Sequence, residues 1–142
     1  MPQFQLQGTV AARRESVWRV FTDHRGWERW AGVKEVVLRQ EGDPPPNGLG
    51  AIRVIRSRGI AIEEEITAFD APKRMAYRLV GGAPVKNHEA DVTFEPSESG
   101  TRVIWNVRFD PRIPFTGALL AEMMRRGLQD VLDRLARVEF ED

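Results

Sequence analysis

The chain has 142 residues, 21 of them basic and 21 acidic, with two histidines and no cysteine. That length allows one domain a real hydrophobic core without covalent staples. Zero formal charge argues against a nucleic-acid binder, which needs a basic surplus to displace counterions, and the missing cysteines exclude disulfides and thiolate chemistry.

Phe4, Leu6 and Val10 alternate with Gln3, Gln5, Gln7 and Thr9, the pattern of a half-buried strand. This N-terminus lacks the continuous apolar core of a signal peptide, and no stretch approaches the ~20 apolar residues of a membrane span. The expectation is a soluble, cytoplasmic single domain over 1–142 with no stable membrane insertion. A helix is predicted from about Arg14, with Val17, Trp18, Val20 and Phe21 facing the core. A polar turn follows, in which His24 reads as solvated, and then a short second helix with Trp27 and Trp30 three residues apart. Residues 33–38 predict a second strand. The stretch 42–50 holds three prolines, which cannot donate to a ladder, and so reads as a loop. It lacks the Gly-Lys-Ser/Thr ending of a phosphate-binding loop.

From residue 50 to 109 the pattern predicts strands joined by short turns. A turn at Arg58-Gly59 sets Ile55 opposite Ile62, Arg53 opposite Glu64 and Ala51 opposite Ile66. A turn at Ala71-Pro72 sets Ala68 opposite Met75, Ile66 opposite Tyr77 and Glu64 opposite Leu79. A turn within 96–100 sets Phe94 opposite Val103, Val92 opposite Trp105, Ala90 opposite Val107 and His88 opposite Phe109. The three turns agree on one apolar face, and Glu63, Glu65, Arg78, Asp91, Glu95, Arg102 and Arg108 fall on the other. A slip of one residue would invert every set, so the agreement carries information.

The last third, 113–138, repeats Leu119, Leu120, Met123, Met124, Leu128, Val131, Leu132, Leu135 and Val138 at helical spacing, with charged residues opposite. Pro114 suits a first-turn position. Such a helix is on the order of 35 Å long and needs a surface of that length to lie against. Gly117 and Gly127 within it predict close approach to the sheet or a slight bend. Strand, two helices, six-stranded meander and terminal helix make an α+β plan with seven strands.

The motifs Trp27-Glu28-Arg29-Trp30, 48–53 (Gly-Leu-Gly-Ala-Ile-Arg), 64–77 and Gly100-Thr-Arg-Val-Ile-Trp105 resemble the START-like superfamily, the Bet v 1-like helix-grip fold. Within it the chain is most similar to the bacterial polyketide cyclase/dehydrase and lipid-transport group, the SRPBCC proteins. The resemblance covers nearly the whole chain and implies a curved sheet wrapped around the terminal helix, with a cavity between them. It does not fix the chemistry, because fold and function part company in this superfamily. The triple proline departs from the glycine-rich loop of plant members.

Arg53 and Glu64 are the sharpest local signal, two opposite charges facing each other on the apolar face. Two readings stand: a structural ion pair that fixes register, or a polar anchor for a ligand inside a greasy cavity. Tyr77 and Trp105 read as core aromatics whose O–H and N–H can also turn to a ligand. His88 is a rim residue or a general acid/base. Trp30 is a packing residue or a gate. Met123 and Met124 offer adaptable thioether walls. With Ile66, Val92 and Leu120 these residues form the expected ligand site. Glu64, Tyr77 and His88 are the only catalytic candidates. Alternation sends only the middle of Glu63-Glu64-Glu65 inward, so no paired-carboxylate device exists, and two distant histidines give no metal-ligand spacing. The leading expectation is binding of a small hydrophobic or amphipathic ligand (lipid, isoprenoid, quinone or polyketide-like) without a cofactor. The rivals are a cyclase/dehydratase-type enzyme and a protein-interaction module. Nothing in the pattern speaks to oligomeric state.

Overall fold

In the computed structural model, which describes residues 1–141, the alternation at the N-terminus becomes strand β1 (Gln3–Val10), with Leu6 and Val10 buried. Helix α1 (Arg14–Thr22) buries Val17, Trp18 and Phe21, and the one-turn helix α2 (Trp27–Trp30) buries Trp27. Six consecutive antiparallel strands follow: β2 (Glu35–Gln40), β3 (Ile52–Ser57), β4 (Ile60–Asp70), β5 (Arg74–Gly81), β6 (Val85–Ser97) and β7 (Gly100–Pro111). The seven strands form one sheet in the order β1-β7-β6-β5-β4-β3-β2, so β1 closes against the last strand of the meander. Helix α3 (Gly117–Leu135) lies across the inner face. This is the helix-grip arrangement.

The expected register holds over most of the sheet. Arg58 and Gly59 both have positive φ, as a two-residue hairpin turn requires, and Ser57 pairs with Ile60, Ile55 with Ile62 and Arg53 with Glu64. Ile66 faces Tyr77, Val92 faces Trp105 and Phe94 faces Val103. On the outer face the charged residues pair across strands, Arg78 with Glu65, Arg74 with Asp91 and Arg102 with Glu95. In water such pairs contribute little each.

Two bulges correct the expected pairing. Thr67 is an extra residue on β4, so Phe69 rather than Ala68 lies opposite Met75. The slip turns Phe69 inward onto Trp18, with ring centroids 5.0 Å apart, and a three-residue turn at 71–73 absorbs it. On β6, Asn87 (φ +53) and His88 together span Phe109, so His88 has no one-to-one partner there. The second strand starts at Glu35, two residues later than expected.

The terminal helix is shorter than its periodicity suggests. It begins at Gly117, because Phe115 turns the chain through a positive φ of 67°, and Pro114 precedes the helix instead of occupying its first turn. Its 19 residues give about 28 Å. Val131, Leu132 and Leu135 are buried, and Leu120, Met124 and Leu128 are half-buried against the core. Leu119 and Met123 are exposed, contrary to the apolar stripe read from the sequence. Gly117 does approach its neighbours closely, since a Cβ there would stand 2.9 Å from Pro2 Cγ, whereas Gly127 faces open space.

Candidate ligand site

A chain of buried polar groups runs from β4 and β3 to the proline-rich loop. Arg53 is 1% exposed, and its Nε and Nη2 both lie 2.9 Å from Glu64 Oε1. Its Nη1 lies 3.0 Å from His24 Nδ1, and the guanidinium sits over the rings of Trp27 (4.6 Å) and Tyr77 (5.1 Å). His24 is fully buried rather than solvated. Its Nε2 is 2.9 Å from the Asn47 carbonyl, and its backbone N–H donates to Asn47 Oδ1 at 3.2 Å. A carbonyl only accepts, so Nε2 carries the proton and Nδ1 accepts from Arg53. Burial, with Arg53 beside it, lowers the His24 pKa to about 3 and keeps the ring neutral. The proline-rich loop is thereby tied through His24 to the sheet interior.

This geometry separates the roles of the ion pair. Arg53 spends its donors on Glu64 and His24 and is held between two rings, which makes it a positioning group. Glu64 uses one oxygen for Arg53. Burial raises its carboxyl pKa, against the pull of Arg53. Among the described residues the buried side-chain atoms without a hydrogen-bond partner are Arg14 Nε and Trp30 Nε1. No hydrogen bond reaches Glu64 Oε2 among the described residues, and Glu64 is 7% exposed.

His88 is buried, and its Nδ1 accepts the backbone N–H of Leu79 at 3.0 Å. The β5–β6 ladder ends at Tyr77 and Ala90, so that N–H would otherwise lack a partner. His88 Nε2 then carries the proton, and burial lowers the ring's pKa to about 4. The Tyr77 and His88 rings lie 5.8 Å apart. The Tyr77 hydroxyl accepts from Trp105 Nε1 at 3.1 Å, and burial raises its pKa, with Glu64 adding to the effect.

Glu64, Tyr77 and His88 are thus brought together, whereas Ile66, Val92 and Trp105 are sealed in the core. Leu120 and Met124 form a half-buried wall, and Met123 stands on its exposed flank. Trp30 lies apart from this group. It packs on Trp27 with centroids 5.3 Å apart and lines a groove of about 730 Å³ between α1, α2 and the segment after α3. A second hollow of about 810 Å³ lies on the outer face near Gln5, Arg74 and Arg108. Neither includes Glu64 or His88. Helix α3 leans on β1 and β7, and Ile55, Ile62 and Leu79, which face inward on strands farther along the sheet, are half-buried.

Sequence reasoning placed Ile55 and Ile62 opposite each other without assigning them to the site. It missed His24, whose partners lie 23 and 29 residues away. The available signal was the enclosure of its turn between Phe21 and Trp27, both buried.

A family model described as polyketide cyclase / dehydrase and lipid transport matches residues 1–138. An uncharacterized protein of Mycobacterium tuberculosis is 29% identical over 101 residues, which cover 69% of this chain and 59% of that protein. The matched part is therefore less than two-thirds of the curated relative. A solution structure from Thermobifida fusca superimposes with a TM-score of 0.76 at 26% identity, covering 100% of this chain and 98% of that one. A START superfamily protein from Mycobacterium smegmatis superimposes with a TM-score of 0.79 at 12% identity, covering 94% of each chain, a likeness of fold alone. No helix among the described residues is long and apolar enough to cross a membrane.

Proposed function

Because the chain belongs to the polyketide cyclase/dehydrase and lipid-transport family, we propose that it binds a small hydrophobic or amphipathic molecule in a cleft between the sheet and the first half of α3. The carrying observation is the pairing of a loosely covered apolar surface with a polar floor. Ile55, Ile62, Leu79, Leu120, Met124 and Leu128 face the interior yet remain half-buried. Glu64, whose Oε1 takes the Arg53 bonds, and His88, whose Nδ1 takes the Leu79 N–H, supply the polar groups on the same inward side. Apolar burial at ~25 cal/mol per Å² supplies affinity, and the two polar groups orient a hydroxyl or carbonyl of the guest. A lipid, isoprenoid, quinone or polyketide-like skeleton fits that description.

The test is organic extraction and mass spectrometry of the purified protein, followed by reloading with the recovered species. Glu64→Gln, checked for folding by circular dichroism, is expected to lower loading about tenfold, or ~1.4 kcal/mol. Normal loading of the folded variant would remove Glu64 from the site. Empty extracts, with no uptake of a fluorescent long-chain probe, would overturn the reading.

The cyclase/dehydratase reading has one observation in its favour, the gathering of Glu64, Tyr77 and His88. A neutral histidine N–H and a carboxyl with a raised pKa are suited to acid/base work. His88 Nδ1, however, is already committed to Leu79. Turnover of a polyketide substrate that disappears in Glu64→Gln would favour this second reading.

A further inference from the structure

Six of the nine large hydrophobic residues exposed among the described residues gather at one end of the molecule. They are Ile60 on the β3–β4 hairpin, Val80 near the end of β5, Ile113 and Phe115 between β7 and α3, and Leu119 and Met123 on α3. The meander brings their segments together, because β3, β5 and β7 all end on that side. Arg112 N–H donates to the Pro84 carbonyl at 2.9 Å and its Nε to the Val85 carbonyl at 3.0 Å, joining two of the loops. Gly82 lies against the Ala61 carbonyl and joins the third. Helical spacing puts Met123 on the side of α3 opposite Leu132, which packs on Gly8 of β1, and leaves it exposed.

Phe115 is the most telling member. It is 105% exposed, and its φ of +67° is a region that bulky side chains avoid. Unpaired positive charge lies at the same end of the sheet. Lys34, Arg58, Lys86 and Arg112 are exposed at this end, and none has a carboxylate partner among the described residues. Glu35 pairs with Arg56 and Glu122 with Arg125 and Arg126, while Asp110, across from Lys86, accepts from the neutral Asn87 amide and keeps its charge as the one unpaired acid beside these cations among the described residues. In a chain of zero formal charge, this end is locally basic.

Apolar side chains on separate loop tips form ridges, poorly shaped for a flat protein partner but easily accommodated by a fluid layer. Cations beside them match anionic headgroups. We propose that this end docks reversibly on an anionic bilayer surface, with Phe115 and Leu119 among the acyl chains and Arg58, Lys86 and Arg112 at the phosphates. The inference does not require the cleft to hold a ligand.

Flotation with phosphatidylcholine vesicles, with and without phosphatidylglycerol, tests it. The protein is expected to float with the anionic vesicles and to dissociate at high salt. Phe115→Ser/Leu119→Ser should weaken binding at least about tenfold. Arg58→Glu/Lys86→Glu should remove most of the salt-sensitive part, while Val37→Ser, exposed on β2, should float like the wild type. All these positions are exposed, and circular dichroism is the check that each variant folds. No flotation at any composition, or equal flotation of the Phe115→Ser/Leu119→Ser variant, would overturn the proposal. So would a concentration-dependent dimer that Phe115→Ser abolishes, since it would assign the face to a second copy. Loading measured without vesicles should be unchanged in Phe115→Ser/Leu119→Ser, which separates a failure of docking from a failure of ligand binding.

Discussion

Val131, Leu132 and Leu135 of α3 are buried where the helix meets β1 and the α1–α2 corner, whereas Leu120 and Met124, two to three turns earlier, are half-buried and Met123 is 57% exposed. One helix on one sheet thus has a closed end and an open end. At the closed end α1 and α2 bring Trp18 onto Phe94 and Phe21 onto both Phe94 and Trp105 of the strands, with Trp27 packed against Phe21. Edge-to-face packing of this kind adds to the burial of large rings. Among the described residues no aromatic cluster of this kind covers the other end, where Leu120, Met124 and Leu128 are only half-buried against the core. The difference in burial follows from placing both short helices on the same side of the fold. Arg53, Glu64, Tyr77 and His24 lie beside the boundary between the two regimes, as their contacts with Trp27 and Trp105 show.

Truncating the same residue type at each end gives the largest contrast. Leu132→Ala is expected to cost about 2–5 kcal/mol, since it empties a filled site against Gly8 and the core. Leu120→Ala should cost less than about 1 kcal/mol, because its side chain already borders solvent. Urea unfolding midpoints measure both. Equal losses would mean that the open half is packed after all, and the distinction between the ends would go.

A second test uses pH, because His24 belongs to the interior and not to the mouth. Its pKa falls from 6.5 in the unfolded chain to about 3 in the fold. Between those values the unfolded chain binds more protons, so the contribution of His24 is complete above pH 6.5 and is lost as pH falls toward 3. His88 acts in the same direction down to about 4, while Glu64, raised by burial, favours the fold at low pH and loses that contribution as pH rises. Removing the titration with His24→Gln should flatten the stability profile between pH 6.5 and 4 by up to ~1.4 kcal/mol per pH unit. An unchanged slope would mean that His24 is solvated in solution and that the proline-rich loop is not anchored through it.

Legibility of the molecule divides along physical lines. Hairpin register was readable because turn residues and alternation are local, so Arg53–Glu64 and Val92–Trp105 could be paired on paper. The bulges at Thr67 and Asn87 were not readable, because a bulge answers to what packs across the sheet, here Trp18 receiving Phe69. Periodicity showed which face of α3 is apolar but not how far its neighbours reach to cover it, and so Leu119 and Met123 were read as buried. The site followed the same rule. Glu64 and His88 were placed inward by alternation, whereas the engagement of Arg53 by His24 depends on a contact spanning 29 residues.

The smallest expected effect concerns the helix itself. Gly127 sits in the interior of α3, exposed, and an added Cβ would meet nothing within 4 Å. Glycine there holds the helix below its attainable stability, so Gly127→Ala should gain about 0.5–1 kcal/mol. Gly117→Ala has no such prospect, since its Cβ would press on Pro2 at the first helical residue. If Gly127 serves only as a tolerated weakness, the gain appears in thermal unfolding while ligand loading stays as it was. If the open end works by letting α3 flex over the cleft, the same substitution slows loading and release without touching the closed end. The Leu132→Ala penalty would be the same in both backgrounds, because Leu132 packs against β1 whether or not the first half of the helix moves.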